Sequence, residues 1–523
     1  MKIKNILAAV TAVIGLAITA QAQTTVYIAG APALRNELTT AIENLLIGQG
    51  SVDRTFNGSA IITANVVRWR NATIGGQGNV TIHLDYNGSA GGWKTNSARQ
   101  NVRYFSDNTT AGSGKTDVLT NTSAEALLAV PDFHISNEYQ ASTPWIGTNQ
   151  VAFPENGATT YQSLVDRVVG ILPLRLVASP AAPDGLNITP QLAQQLYTDG
   201  ELRLSQLTGN QSDYGKKVYP LGRGIDSGVR TLWAAANGVG STTPILTWNA
   251  TVGNTTNKAV LGVTVVSPGS GYTSAPTVTI AAPGGNGTTA TATATVANGR
   301  ITGFTVTNGG SGYSSAPSVS LSGGNGTLAS ARAVIQGGTV TSHALWAATG
   351  QTLGTNGTDN RILGIETPEG NGGYATFGPL LTAITSTLSL SGGDPGDIYF
   401  TALGDSDADS AIKGGAKEVK WNGNLLGTLG TYGNNGTVTG SSAPNPLSIG
   451  TATPSLAYGQ YELWGYVRLP YLSSALPNGS AKKAVYDAIA AQLRDFDAPV
   501  RLKDVNVQRY NDGGTVVSGR KLQ

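Results

Sequence analysis

The sequence predicts an α/β layered fold that is interrupted by a small all-β module. Short apolar strands alternate with one-faced helices through most of the chain, a pattern typical of layered α/β folds. Between about residues 245 and 345 the alternation gives way to Gly- and Thr-rich segments that repeat. The α/β pattern then resumes, so we interpret the repeat region, residues 245–345, as an insertion.

The first half of the chain supplies the clearest elements. Helices are predicted where apolar residues recur every three to four positions, and strands where short apolar or alternating runs end at turn residues. The predicted strands are Thr25–Ala29, Val80–Tyr86, Val168–Val177 and Lys217–Tyr219. The predicted helices run from Pro32 to Leu46 and from Pro190 to Gly200, with Thr189 as the cap of the second, and Asn87–Gly92 is predicted as a turn.

A further helix start follows Lys217–Tyr219. Asp226 or Ser227 can serve as its N-cap, and its apolar run ends at Asn237-Gly238. The start of a helix presents free backbone N–H groups and the positive end of the helix dipole. With Arg223 and the Ser227 hydroxyl beside it, this segment predicts an anion site, and an ordinary capped helix is the alternative.

The second half contains the repeats, followed by a return to the α/β pattern. Gly269–Ile280 recurs as Gly310–Leu321, and two copies indicate a small β module in which Tyr272 and Tyr313 pack. Beyond it we expect a helix over Phe377–Thr387, strands over Asp397–Phe400 and Tyr461–Tyr466, and an amphipathic helix that begins at Ser480.

The N-terminus has the pattern of a secretory signal peptide. Lys2 and Lys4 precede an apolar run from Ile6 to Thr19, and Ala20-Gln21-Ala22 fits the small-residue cleavage site. The run is too short to span a membrane. We therefore expect residues 1–22 to be removed after Ala22, and the mature chain to be periplasmic or extracellular.

Composition narrows the function classes. Charged residues make up 12% of the 523 residues and the formal net charge is +2, a balance that argues against nucleic-acid binding. The chain has 0 cysteines, which excludes disulfides, thiolate metal sites and cysteine nucleophiles. The 69 glycines and low charge are typical of extracellular β-rich proteins.

Motifs for catalysis or metal binding are weak. Gly112–Thr116 imitates the end of a P-loop but lacks its first glycine, and Asp405–Asp409 has calcium-loop spacing without the required glycine and glutamate. We interpret the first as a loop and the second as an acidic helix start. The histidines stand far apart, and no nucleophile with an acid/base partner is visible. We expect no enzyme, no metal and no cofactor.

Several segments, in order, resemble the phosphate-binding type of bacterial periplasmic substrate-binding protein. The matching segments are Ile28–Leu34, Tyr86–Gly92, Ile135–Asn137, Arg223–Val229 and the stretch from Tyr399–Gly404 to Tyr461–Trp464. The resemblance implies a two-lobed type 2 periplasmic-binding-protein fold that clamps a small anion such as phosphate, with an ABC-transporter permease as a partner. It implies binding in the cleft between lobes by Ser89, Ser136, Asn137, Arg223, Ser227 and Gly228.

The resemblance also implies how the chain divides. One lobe would combine residues 24–150 with 455–523, and the other would combine 151–244 with 346–454. Four positions depart from the family's pattern, since Ala31, Ala33, Asn137 and Val229 replace polar groups that would contact phosphate. These departures keep an alternative open: an extracellular or cell-surface structural or adhesive protein that has lost its ligand, with self-association or surface attachment through 245–345.

Overall fold

The structure is a computed structural model. It describes residues 23–115, 126–143, 145–149, 159–240, 243–253, 257–335, 337–348, 369–426, 454–502, 505–514 and 517–518. The predicted signal peptide, residues 1–22, lies outside the described residues. Among the helices of these ranges, none combines the length and apolar character needed to cross a membrane.

The first half of the chain builds strands and helices in alternation. The strands are β1 Thr24–Gly30, β2 Asp53–Asn57, β3 Val66–Ile74, β4 Gln77–Asp85, β5 Val102–Phe105, β6 Gly112–Lys115, β7 Ala126–Ala129, β8 Phe133–Ile135, β9 Gly147–Asn149, β10 Thr159–Tyr161, β11 Val168–Ala178, β12 Asn187–Ile188, β13 Leu202–Arg203 and β14 Lys217–Pro220. The helices are α1 Arg35–Leu45, α2 Ser89–Ser97, α3 Pro190–Asp199, α4 Ser205–Thr208 and α5 Gly228–Ala236.

The second half begins with strands alone and then returns to a mixture. Its strands are β15 Trp248–Gly253, β16 Val260–Ser270, β17 Thr277–Ile280, β18 Thr291–Ala297, β19 Arg300–Asn308, β20 Val319–Ser322, β21 Thr327–Ile335, β22 Thr339–Leu345, β23 Thr387–Leu388, β24 Ile398–Gly404, β25 Lys417–Trp421, β26 Trp464–Arg468, β27 Val507–Gln508 and β28 Val517–Ser518. Its helices are α6 Phe377–Ile384, α7 Asp405–Lys413, α8 Pro454–Ala457 and α9 Ala481–Gln492.

Two mixed sheets form the α/β part of the molecule. The first has the order β6-β2-β3-β4-β1-β8, in which β1 is parallel to both β4 and β8. The second has the order β12-β25-β11-β24-β14-β13. We call the body on the first sheet lobe one and the body on the second sheet lobe two.

Strand β11 joins the two sheets. Its first part, Val168–Pro173, pairs with β26, which continues lobe one through a bridge between Ser136 and Arg468. Its second part, Leu174–Ala178, pairs with β24 in lobe two. Burial on both faces explains why this strand is apolar along its length except at Arg175.

Local signals place several helices where the sequence predicts them. The Thr189 hydroxyl accepts from Leu192 N at the start of α3, Pro190 is its first residue, and Gly200 ends it in the left-handed conformation with φ 79°. Ser480 likewise accepts from Lys483 N and starts α9, whose Val485 and Ile489 are fully buried. The acidic cluster at Asp405–Asp409 lies in the first turns of α7, as predicted.

Other expectations need correction. The predicted turn Asn87–Gly92 is wrong beyond Gly88, because α2 begins at Ser89 and includes both Gly91 and Gly92. A Cβ on Gly92 would lie 2.7 Å from His134 Cδ2, so packing against β8 favours glycine there despite its poor helix propensity. The helix predicted over Phe377–Thr387 ends at Ile384, and the strand predicted over Tyr461–Tyr466 is Trp464–Arg468.

The repeat region forms antiparallel strand pairs. They are β16 with β21, β17 with β20, and β18 with β19, around a small core that includes Val263, Ile280 and Tyr313. The flanking pair of β15 and β22 packs instead with lobe two, since Val340 shares a core with Leu380 and Tyr399. The strand-only stretch therefore has two parts with different cores.

Replacing Tyr313 with phenylalanine should loosen the repeat core. Its hydroxyl accepts from Ala290 N at 2.9 Å and donates to Ala281 O at 3.1 Å. Loss of these bonds at a buried site costs about 1–3 kcal/mol. We expect the Ala290 amide to exchange its hydrogen faster. Tyr272→Phe, at the equivalent repeat position, is the control, and equal exchange in the two variants would contradict the assignment.

Candidate functional site

Three chain turns meet at one small cavity between the lobes. The chain leaves β1 through the short 3-10 turn Pro32–Leu34 into α1, leaves β4 into α2, and enters α5 after β14. Because β1 and β4 are parallel, their carboxyl ends lie at the same edge of the sheet. The cavity is lined by Ala31, Pro32, Ala33, Gly88, Ser89, Asn137, Arg223, Asp226, Ser227 and Gly228.

Five of the six residues proposed from the sequence line this cavity, and the sixth lies directly behind it. Ser136 is fully buried, and its Oγ lies 3.0 Å from Ser89 Oγ and accepts from Trp93 Nε1 at 2.7 Å. The cavity volume is about 10 Å³, room for one water molecule at most. The lobes are therefore closed on each other here.

Direct contacts hold the two lobes together at the cavity. Ala90 N, in the first turn of α2, donates to Asp226 O at 3.1 Å. In the amide orientation that satisfies its neighbours, Asn137 accepts from Val229 N at 3.3 Å, in the first turn of α5. Ser227 is the N-cap residue of α5, and its hydroxyl makes no capping hydrogen bond to that helix.

Glu138 is the functional candidate that sequence reasoning missed. Its side chain is fully buried, and its Oε2 accepts from Ser89 Oγ at 2.6 Å and from the reoriented Asn137 amide at 2.9 Å. A Cβ on Gly228 would overlap both Glu138 Oε2 and Asn137 Oδ1, so the carboxyl lies against the start of α5. The available signal was an acidic residue directly after Ser136-Asn137 at the end of an apolar strand.

Burial controls the protonation of Glu138. Removal from water is the main cause that raises the pKa of its carboxyl to about 8; the Ser89 hydrogen bond opposes this rise and the nearby Asp512 carboxylate supports it. Its second oxygen, Oε1, is buried and has no hydrogen-bond partner among the described residues. A buried carboxyl with so few donors is held largely as the neutral acid at pH 7.

Arg223 has two of its donors engaged by the backbone. Its Nε donates to Tyr374 O and its Nη2 to Ala375 O, both at 3.1 Å. Arg230 holds the same segment, since its Nη1 donates to Gly372 O at 2.6 Å. The two arginines fix residues 371–375 beside the loop that leads into α5.

Charged groups surround the Arg223 side of the cavity. Asp407 lies near Arg223 and Arg35, and burial raises the pKa of its carboxyl to about 6 although both arginines oppose the rise. Burial lowers the pKa of the Arg35 guanidinium, with Tyr86 opposing. The positive charge at the cavity is thus partly balanced by carboxyl groups within lobe two.

A second, larger cavity of about 310 Å³ lies away from these groups, between β14, β22 and residues 390–397. Its charged groups Asp397 and Lys217 are already paired: Asp397 Oδ1 accepts from Lys217 N at 2.8 Å, and Lys217 Nζ donates to Glu201. His343 Nδ1 lies 3.0 Å from the Tyr399 hydroxyl, and burial lowers its pKa to about 4. These groups are structural partners of one another.

Comparisons with known proteins add distant likenesses. No family model matches the sequence, and no curated protein matches it. A Clostridium perfringens protein named as a phosphate ABC transporter substrate-binding protein, solved with bound phosphate, has 8% identity and a TM-score of 0.32, over 89% of this chain and 91% of its own. A Stenotrophomonas maltophilia phosphate-binding protein has 12% identity and a TM-score of 0.31, over 90% of each chain. Likenesses at this level do not assign a function, so a function must be inferred from the geometry of the site.

Proposed function

We propose that this chain is an exported solute-binding protein that holds a small oxyanion, such as phosphate, between its two lobes. The observation that supports this most is the convergence of helix starts from both lobes at one cavity, with α2 from lobe one and α5 from lobe two. The first N–H groups of a helix have no acceptor within it, and the helix dipole adds positive potential. Two such ends facing one point favour an anion.

Each proposed residue has a defined part in this arrangement. Arg223 contributes positive charge, and Ser227 and Gly228 contribute the hydroxyl and the N–H group at the start of α5. Ser89 and Asn137 contribute polar groups from lobe one, and Ser136 holds Ser89 in place. The proposal is binding without a chemical step, and an ABC-transporter permease is the proposed recipient of the ligand.

Closure of the lobes is part of the proposed function. The cavity, with about 10 Å³, is too small for an oxyanion in the closed arrangement. A ligand must therefore enter while the contacts Ala90–Asp226 and Asn137–Val229 are broken. Reclosing around the ligand, to an arrangement slightly wider than this one but with the same elements facing each other, would desolvate the anion against the two helix starts, which strengthens each charged hydrogen bond.

Thermal unfolding with phosphate and sulfate tests this proposal. A ligand at 100 times its Kd stabilises the folded state by roughly 2.7 kcal/mol, so we expect a higher unfolding temperature. Arg223→Ala should weaken binding about tenfold or more, because a hydrogen bond from a charged group contributes about 1.5–3 kcal/mol. Arg203→Ala is the control, since Arg203 lies over the Tyr214 ring on lobe two.

The opposite result would favour the second candidate. The binding proposal fails if neither anion raises the unfolding temperature of the wild type at any pH from 5 to 8 and if Arg223→Ala also shows no response to either anion. A structural or adhesive role would then be the better explanation, with residues 245–345 as the segment for self-association. The closed cavity and the alanines at 31 and 33 are the observations that favour that candidate.

A further inference from the structure

Glu138 and an incoming anion require the same donors. A hydroxyl carries one hydrogen, and a carboxylate can only accept. When Glu138 is ionised, the 2.6 Å contact takes the hydrogen of Ser89, and the reoriented Asn137 amide also points to the same carboxylate oxygen. Ser89 Oγ additionally accepts from Asn137 N at 3.2 Å. The polar groups of lobe one are thus turned away from the cavity and toward an internal carboxylate.

A proton on Glu138 would reverse this hydrogen bond. A neutral carboxylic acid can donate to Ser89 Oγ, which frees the Ser89 hydrogen for Ser136 Oγ, 3.0 Å away, or for an anion in the cavity, which is the stronger acceptor. It also removes a negative charge beside the start of α5, where the external anion would lie. We propose, on the basis of the anion-binding function above, that Glu138 is a proton switch: the site accepts an oxyanion only while Glu138 carries a proton.

Other titratable and charged groups near Glu138 contribute to the electrostatic potential at its carboxyl. Asp512 approaches from the C-terminal segment, where its Oδ2 accepts from Tyr139 N at 2.8 Å and where Arg468 and Arg509 partly offset its charge. Arg223 and Asp226 stand on the loop before α5. His134 on β8 is fully buried, and burial lowers its pKa to about 3, so it stays neutral.

Sulfate is the probe for this proposal, because its charge does not change near neutral pH. Calorimetric titration of the full mature chain from pH 6 to 9.5 should give a constant affinity below about pH 8. The burial that raises the pKa of Glu138 to about 8 then predicts a fall of about tenfold for each further pH unit, since one proton must be taken up with the anion.

Glu138→Gln provides the decisive variant. Its amide can donate to Ser89 Oγ at any pH, so we expect an affinity at pH 9.5 at least about tenfold above that of the wild type, with a flat profile. Asp512→Asn is the matched control, because it removes the neighbouring buried carboxyl and should keep the fall. Ser89→Ala, which removes the relaying hydroxyl, should bind more weakly and show a shallower fall, because the charge of ionised Glu138 still opposes the anion.

Each result separates the switch from the binding function. The switch would be overturned if the wild type and Glu138→Gln had the same pH profile. It would also be overturned if Glu138→Gln had no affinity for sulfate while the wild type bound it. Either result would leave the binding function standing. Failure of every protein to bind sulfate and phosphate would instead overturn the binding function. A flat profile in Asp512→Asn alone would assign the proton to Asp512 and also overturn the role of Glu138.

Discussion

Gly228→Ala is expected to cause a large loss of anion binding. A Cβ at this position would lie 2.8 Å from Asn137 Cγ and would overlap the Glu138 carboxyl. Both acceptors are fully buried, so neither can swing into solvent. Overpacking of this kind costs about 1–3 kcal/mol, which corresponds to roughly 5- to 150-fold in the equilibrium for closing the lobes.

The matched control is Gly378→Ala. Gly378 also lies in the first turn of a helix, α6, but a Cβ there would meet nothing within 4 Å. Alanine should stabilise that helix slightly, by up to about 1 kcal/mol. Sulfate titration and the radius of gyration in solution measure the outcome: Gly228→Ala should bind weakly and be more extended. Unchanged binding in Gly228→Ala would show that closing the lobes does not require Gly228 to lie against Asn137 and Glu138.

The pH dependence of unfolding should differ sharply between the ligand-free wild type and Glu138→Gln. An ordinary glutamate ionises near 4.5, whereas burial raises the pKa of Glu138 to about 8. Between these values the folded protein binds a proton that the unfolded chain has lost. The contribution of Glu138 is therefore complete below pH 4.5, declines by about 1.4 kcal/mol per pH unit up to pH 8, and is constant above it.

Denaturant unfolding from pH 5 to 9 measures this difference in the free energy of unfolding. Subtracting Glu138→Gln from the wild type cancels the buried histidines, whose pKa values are lowered and whose contributions have the opposite slope. Asp487→Asn is the control without slope in this range: Lys483 and Arg167 lower the pKa of that carboxyl despite partial burial, so it is ionised in both the folded and the unfolded chain above pH 5. If the free energy of unfolding of the wild type minus that of Glu138→Gln did not change with pH, Glu138 would not be held in the closed, desolvated position.

The sequence was sufficient where a structure depends on near neighbours. The caps at Thr189 and Ser480 act on N–H groups three residues away, and the left-handed end at Gly200 is a property of that residue. The residue types before Gly228 also predict a helix start correctly, although the Ser227 hydroxyl makes no capping hydrogen bond there. The order of motifs even gathered Ser89, Asn137, Arg223 and Gly228 as one candidate set, and they line one cavity.

Tertiary packing decided what these groups face. The start of α2 contradicts the helix propensity of Gly91 and Gly92, because close packing of Gly92 against His134 on β8 outweighs it. Arg223 donates to carbonyl groups some 150 positions away along the chain, a partner that no local pattern specifies. The partition of β11 between two sheets likewise depends on its partners β26 and β24.

Glu138 marks the division between the two kinds of information. In the sequence, Glu138 is an ordinary glutamate that follows Ser136-Asn137. Its neighbours along the chain do not determine its burial or its pKa. Those properties arise from tertiary packing, which places the start of α5 against the carboxyl and excludes water from it. The sequence predicted the start of α5 at the cavity, because helix-start signals are local. The tertiary structure decided the start of α2 and the burial of the Glu138 carboxyl behind the cavity, because packing and desolvation depend on every element packed around these groups.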